Sequence, residues 1–501
     1  MIAPSSEKRM PLSSTAQMVW LLALGVMLGL GFLVAAQLSR KWFIFLFLLS
    51  LMGPIALTVP NRRELLLILL TLSVPVWIGM HIYYHKTPFG RSTFGFPIHF
   101  SFIPLAALYV SWIANRVVWK IPGPVSTRGL GALAGLFVVA ACSVFVAKEP
   151  LFAIFDVFAL ATSLAIFIYM SSQINEGKDL HLIVTVMICF AFFQGLIAIG
   201  QRLTGTLMGF SLLGGGGAGP QPLYGYAGLE AVSRVGGWIG HPNSLALFFD
   251  LMVPLSFSLL FYPLSRRLKF WLAVAIVIEV LGLGVTYSRG GIMATSLALF
   301  LLAIFFWKKK MGLTRAFFGV LSIAVIGATL LLIIPNPLRT GLFRTEGTAY
   351  GRWPLIEVAT NIISHRPLLG TGLNNFVVTA PPYDFTREQI VAAWNSPVHN
   401  LFFFIGAETG LLGLGFFLLL LWRVMTWLYP ALKVQDPFLH CVGTGLFFGI
   451  LAFYAHAQVD YTIWTQNRLM WFILGLAVSI GRFARLALAN QKVAVPQGSG
   501  A

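Results

Sequence analysis

Charge is what this chain is short of. Only 10% of its 501 residues are Asp, Glu, Lys or Arg, and 16 of them are acidic. A soluble domain carries about 25% charged residues, so a body bathed in water is excluded. Cysteine is scarce as well. Cys142, Cys189 and Cys441 lie scattered in apolar segments with no CxxC pair, which excludes a disulfide framework and a cysteine metal site; they read as small hydrophobes within helices. Acidic pairs are missing too: the outer loops hold no Asp-x-Asp, and the longest connection offers only Glu346, Glu357, Asp384 and Glu388, set apart. Magnesium sites want carboxylates, so no metal and no cofactor is expected.

What is present is apolar. Hydrophobic residues make up 58% of the chain, with 43 Phe and 14 Trp, and runs of the ~20 apolar residues that a transmembrane helix needs recur throughout. Fourteen spans are expected, at 17–38, 42–59, 64–83, 98–118, 129–147, 151–171, 180–203, 243–262, 268–287, 291–307, 316–334, 400–421, 437–456 and 469–486. The run from 18 to 36 is too long for the apolar core of a signal peptide, about 7–15 residues, and reads as a retained first helix. No soluble domain and no internal repeat is visible. The fold class is an all-α polytopic membrane protein of about 12–14 transmembrane helices, with one large external loop containing short helices.

The net charge of +18 marks topology, not nucleic-acid binding. Arg62, Arg63, Arg116, Lys120, Arg128, Lys178, Arg266, Arg267, Lys269, Lys308, Lys309, Lys310, Arg315, Arg423 and Lys433 fall in alternate loops. That is the positive-inside pattern; it puts both termini in the cytoplasm of an inner membrane, with Arg40 and Lys41 as exceptions. The opposite side carries the long connections, 204–242 and 336–398. The second holds an amphipathic stretch, Tyr350 to Ser364, with Trp353, Ile356, Ala359, Ile362 and Ile363 at near-helical spacing and Pro367 beyond it. A helix lying on the outer surface is expected there.

Polar residues at the outer ends of spans are candidates for chemistry, because charge near lipid is costly. Arg234 lies in Arg234-Val235-Gly236-Gly237-Trp238-Ile239-Gly240-His241-Pro242-Asn243, a glycine-rich segment that lets backbone approach a ligand; its bland alternative is an arginine touching headgroups. Arg289 follows Thr286-Tyr287-Ser288 in a tight outer turn, against the positive-inside bias; its alternative is snorkelling. His399 lies where the long loop enters a span, and a helix start and nearby arginines both disfavour imidazolium. A neutral imidazole is the form a general base needs, although a lone histidine there is more often a cap. Together the two guanidiniums could grip a diphosphate in bidentate fashion and the imidazole could accept the proton of an incoming sugar hydroxyl. Asp250, Glu279, Glu408, His440 and His456 lie inside spans; Glu408 is expected to support an arginine.

These segments resemble the O-antigen ligase and polymerase superfamily. The run from Arg234 to Asn243 resembles its "R-x-x-G-x-x-x-x-P-N", and Thr286 to Gly291 its "T-x-S-R-G" turn. Gly351-Arg352-Trp353 followed by Pro367-Leu368-Leu369-Gly370-Thr371-Gly372 resembles part of its large periplasmic loop. His399-Asn400-Leu401 followed by Glu408-Thr409-Gly410 resembles "H-N-x-x-L … E-x-G". The likeness covers about Arg234 to Phe417, four motifs in order on one face. It implies a GT-C-like membrane glycosyltransferase, one transmembrane domain over 1–501, with N-terminal helices at 17–203, a ligase-like core at 234–427 that includes the loop 336–398, and C-terminal helices at 437–486. It implies metal-independent transfer of a glycan from undecaprenyl diphosphate, with Arg234 and Arg289 at the diphosphate and His399 near the acceptor. Arg352, Asn243, Asn400 and Glu408 are further candidates for binding donor or acceptor. His241 departs from the Asn or Gly common there, and fourteen spans exceed the usual dozen or so of ligases. Ligation of a finished polysaccharide to lipid A-core is the first expectation and repeat-unit polymerisation onto a growing polysaccharide the second. A small-anion (bicarbonate) transporter is the alternative of another class. Membrane lipids are the remaining partner, and nucleic acid is not one.

Overall fold

The computed structural model describes residue 29 and residues 61–76, 79–85, 94–117, 130–206, 221–222, 233–308, 352–394, 396–460 and 462–494. The chain divides into two units, Met1–Leu65 and Leu66–Ala501; the helices and the site described here belong to the second. Its helices are α1 (Arg62–Ser73, which begins before the division), α2 (Phe102–Val117), α3 (Leu130–Cys142), α4 (Pro150–Gln173), α5 (Gly177–Thr204), α6 (Pro242–Leu259), α7 (Arg266–Val285) and α8 (Arg289–Lys308). They continue with α9 (Arg352–His365), the short α10 (Phe376–Thr379) and α11 (Ile390–Trp394), then α12 (Leu401–Leu428), α13 (Pro437–His456) and α14 (Arg468–Ala494). Two small antiparallel pairs accompany them, β1 (Gly79–Ile82) with β2 (Phe96–His99) and β3 (Gln221–Pro222) with β4 (Ser233–Arg234).

Eight of the described helices are long and apolar enough to cross a membrane: α4, α5, α6, α7, α8, α12, α13 and α14. The protein is an all-α polytopic membrane protein. Three of the expected spans, 17–38, 42–59 and 316–334, lie outside the described residues. The expected span at 64–83 is corrected: its helix stops at Ser73 and the chain passes through Pro75 into β1. Proline has no N–H to continue the helical ladder and disfavours helix at the residue before it. The spans expected at 98–118 and 129–147 form the shorter helices α2 and α3, the latter ending in a 3₁₀ turn at Ser143–Val146.

The least apolar span is the most central one. Helix α6 packs on α5, α7, α8 and α13, and its polar side chains are matched inside the protein instead of facing lipid. Ser258 donates to the carbonyl of Cys441 at 2.7 Å, and Ser256 donates to Glu279 at 3.0 Å. Burial from all sides explains why its sequence is a poor match for a lipid-facing helix. Helices α4, α12 and α14 form a neighbouring group, with α3 and α9 set against α12.

Helix α9 confirms the amphipathic stretch but shifts its face. The buried stripe is Leu355, Val358, Ala359 and Ile362, laid against α12, whereas Trp353 is 77% exposed and Ile356 and Ile363 are half-buried. The segment after it docks into a kink of α12. Thr371 N donates to Ala407 O at 2.9 Å, Gly372 N to Glu408 O at 3.0 Å, and Leu411 N to Pro367 O at 2.7 Å. Gly410 sits at that kink with φ 68° and ψ −175°, a conformation open essentially to glycine alone, and a Cβ there would strike the Leu368 carbonyl. Gly410→Ala is therefore expected to destabilise the purified protein by at least about 1–3 kcal/mol, seen as a lower thermal unfolding midpoint in detergent; an unchanged midpoint would mean the kink carries no strain.

Candidate active site

The chain turns at α5–β4–α6, at α7–α8, at the start of α12 and between α13 and α14 meet at one end of the bundle. At the other end lie the basic residues Lys178 in the first turn of α5, Arg266, Arg267 and Lys269 in the first turn of α7, and Lys433 just before α13.

Arg234 is placed by the backbone that follows it. Residues 237–240 form a tight turn in which Gly237 has φ +57° and lies against Gln194 of α5. Two fully buried glutamines of α5 hold it. Gln201 accepts from Gly237 N at 3.0 Å and donates back to Gly237 O at 3.3 Å, and Gln194 accepts from Trp238 N at 3.0 Å. Replacing Gln201 by leucine leaves a buried amide N–H and carbonyl without these partners, at about 1–3 kcal/mol for a group so orphaned. A drop in the unfolding midpoint of the purified chain, with a loss of activity that follows from a displaced Arg234, is the expected result; wild-type values for both would contradict the clamp.

From this turn the Arg234 guanidinium reaches across. Its Nε donates to the Thr286 carbonyl at 2.9 Å, and its Nη2 donates to Asn243 Oδ1 on the first turn of α6. Asn243 Nδ2 in turn donates to Asp460 Oδ1 at 2.9 Å. Arg289 begins α8, three residues past Thr286, and Arg352 begins α9. Both lie close enough for their charges to act on Arg234. Burial lowers the Arg234 guanidinium to about 10; Asp460 opposes the shift, and Arg352 and Arg289 add to it. Arg352 is lowered for the same reasons: burial first, with Asp460 opposing and Arg289 adding. Arg234 nevertheless stays a cation at neutral pH. These four side chains bring three positive charges to one negative one, in a partly dehydrated corner where like charges repel strongly.

The start of α12 is fastened to the turn that carries Asp460. Asn400 caps that helix, accepting from Phe402 N at 3.0 Å and Phe403 N at 3.2 Å. Its Nδ2 donates to the backbone and side-chain oxygens of Gln458, each at 3.1 Å, and Leu401 N donates to Ala457 O at 2.9 Å. The start of α12, with half-buried His399, is thus fastened to the 456–460 turn, whose Asp460 faces the arginines. Arg234, Asn243, Arg289 and Arg352 are drawn together directly, and Asn400 is tied to the turn that bears Asp460, with His399 next to it in the chain.

Glu408 does not join them. It lies nine residues beyond His399, roughly 13 Å along the helix, fully buried beside Asp156 of α4 and facing the backbone N–H groups of Phe376 and Asn374. Its expected arginine is replaced by the loop that docks on the kink, so its place is with the scaffold. Sequence reasoning missed Asp460, Gln194 and Gln201. Asp460 carries a usable signal, a lone acid just past the end of a span; the glutamines look like any polar residue within a helix.

Comparison with known families bears on this site. Residues 274–418 match the family described as O-Antigen ligase. This stretch is similar to that family over part of the chain, from the middle of α7 into α12. The match supports the O-antigen ligase/polymerase superfamily and, with it, a membrane function in glycan ligation or polymerisation. Arg289, Arg352, His399, Asn400 and Glu408 lie inside the matched residues, and Arg234, Asn243 and Asp460 lie outside them. No curated protein matches the chain.

Proposed function

We propose that the chain transfers a glycan from undecaprenyl diphosphate to an acceptor at the periplasmic face of the inner membrane, joining a finished polysaccharide to lipid A-core. The observation that carries this reading is the gathering of Arg234, Arg289 and Arg352 about Asp460. Clustered guanidiniums repel one another, and an anion with several oxygens relieves that repulsion while matching their paired donors. A lipid diphosphate fits this demand. The family match supplies the class of chemistry.

The step is a single displacement. The acceptor hydroxyl oxygen attacks the anomeric carbon, its proton passes to His399, and the bond from that carbon to the diphosphate oxygen breaks with its electron pair. The leaving diphosphate is already a stable anion, so no general acid is required, and the arginines stabilise the charge that grows on it. Positively charged side chains take the place of a metal ion. Transfer by the purified chain is therefore expected to continue unchanged in excess chelator; loss of activity restored by a divalent metal would contradict this. The anomeric configuration is expected to invert.

Polymerisation of repeat units uses the same donor chemistry and is the second reading, supported by the same superfamily match. A deletion strain distinguishes the two: bare core with free lipid-linked polymer supports ligation, and capped single repeat units support polymerisation. Small-anion transport fits less well, because transport sites tend to lie near the bilayer midplane, whereas Arg289 and Arg352 begin helices and Arg234 lies in the segment that leads into α6.

A further inference from the structure

Beneath the arginines lies a second polar array that this mechanism does not use. His456, at the last turn of α13, brings its Nδ1 to 2.7 Å from Asp250 Oδ2 on α6 and its Nε2 to 3.0 Å from Ser288 Oγ. Thr295 of α8 donates to the other Asp250 oxygen at 2.6 Å. All four side chains are buried, Asp250 completely. Gly290 and Gly291 leave room for the imidazole, since a Cβ at Gly290 would meet its ring. A carboxylate only accepts, so His456 donates from Nδ1 and shares its remaining nitrogen with the serine.

Ser288 immediately precedes Arg289. Its hydroxyl also accepts from Gly291 N at 3.4 Å, and its backbone N–H donates to Thr286 Oγ1 at 3.2 Å. Tyr287, between them, has φ +54°, a left-handed conformation costly for a side chain of that size. The turn that launches Arg289 is thus strained and needs anchoring from below. The Asp250–His456–Ser288 chain provides it, tying α6, α13 and the α7–α8 turn together.

We infer that Asp250, His456 and Ser288 form a buried orienting relay that fixes Arg289 for binding the diphosphate. The inference rests on the reading of the arginines as a diphosphate site. These three are positioning residues: they act through Arg289 and touch no substrate. The aspartate's two oxygens, one on the imidazole and one on Thr295, hold the ring in one orientation.

The test is the affinity of the full chain in nanodiscs for inorganic pyrophosphate, measured by calorimetry. The variants are Asp250→Asn, Ser288→Ala, Arg289→Ala and Arg352→Ala, singly and in pairs. Asp250→Asn and Ser288→Ala are each expected to weaken binding about tenfold, which is about 1.4 kcal/mol. Either is expected to add nothing in the Arg289→Ala background, yet to multiply with Arg352→Ala, whose side chain springs from a different helix. Residues acting through one partner show such non-additivity, whereas independent sites add. General damage to the fold would weaken binding in every background. Should Asp250→Asn fail to fold, Ser288→Ala, which removes a single hydroxyl, carries the same comparison. Wild-type affinity in these variants, or losses that multiply with Arg289→Ala, would overturn the relay while leaving the diphosphate site standing. Absence of pyrophosphate binding in the wild-type chain, or wild-type binding by Arg289→Ala, would overturn the diphosphate site itself and the relay with it.

Discussion

His399→Ala is expected to lower the turnover of glycan transfer by about 10²–10⁴-fold, the usual contribution of a positioned general base, with the apparent affinity for the lipid-diphosphate donor nearly unchanged. The split follows from geometry. His399 precedes α12, whose start is tied to the turn at 456–460, whereas the proposed donor ligands Arg234, Arg289 and Arg352 come from β4, α8 and α9. Removing the imidazole takes away the proton acceptor and leaves the guanidiniums in place. Steady-state kinetics on the purified chain, with donor and acceptor varied separately, checks this. A loss confined to donor KM would assign His399 to donor binding; full activity would remove it from the reaction.

Arg289→Ala is expected to cost about 10²–10³-fold in turnover, the range for one donor that stabilises developing charge. Donor affinity should fall as well, since the diphosphate is charged before and after the bond breaks. Arg289→Lys should recover only part of the loss, because an ammonium keeps the charge but not the paired donors. Arg234→Ala is expected to be at least as damaging for a second reason. Its guanidinium also bonds the Thr286 carbonyl and Asn243, so its removal loosens the turn that bears Arg289. The double variant Arg234→Ala with Arg289→Ala should then lose less than the product of the two single losses. Equal activity of Arg289→Lys and the wild type would show that bidentate geometry is not used.

Much of this could be read from the sequence, for identifiable reasons. Spans such as α5 and α7 announce themselves because they face lipid along one side and must be apolar. Helix α6 barely does so, since its polar groups are satisfied by neighbours that only the folded bundle supplies. The stretch 64–83 looked like a span because hydropathy does not register that Pro75 ends the helix. Among the site residues, Arg234, Arg289 and His399 stood out as charges at helix ends, and the structure gathers the arginines. Asp460 escaped notice because it lies more than 200 residues from Arg234, and nothing local ties the two. The Asp250–His456 pair was visible only as two separate ionisable residues within spans. Pairing them required knowing that α6 packs on α13. Conversely, the glycines of the segment after α9 and Glu408-Thr409-Gly410 suggested chemistry by their pattern. They serve to dock a loop into the kink of α12, a structural task that leaves the same kind of trace in a sequence.

The most direct test is an electron cryo-microscopy map of the full chain in nanodiscs with a non-hydrolysable lipid-diphosphate glycan bound. The expected result is diphosphate density within hydrogen-bonding reach of the guanidiniums of Arg234 and Arg289, with His399 turned toward the anomeric carbon. Density for the diphosphate at any other place, with these arginines left in contact with protein alone, would contradict it.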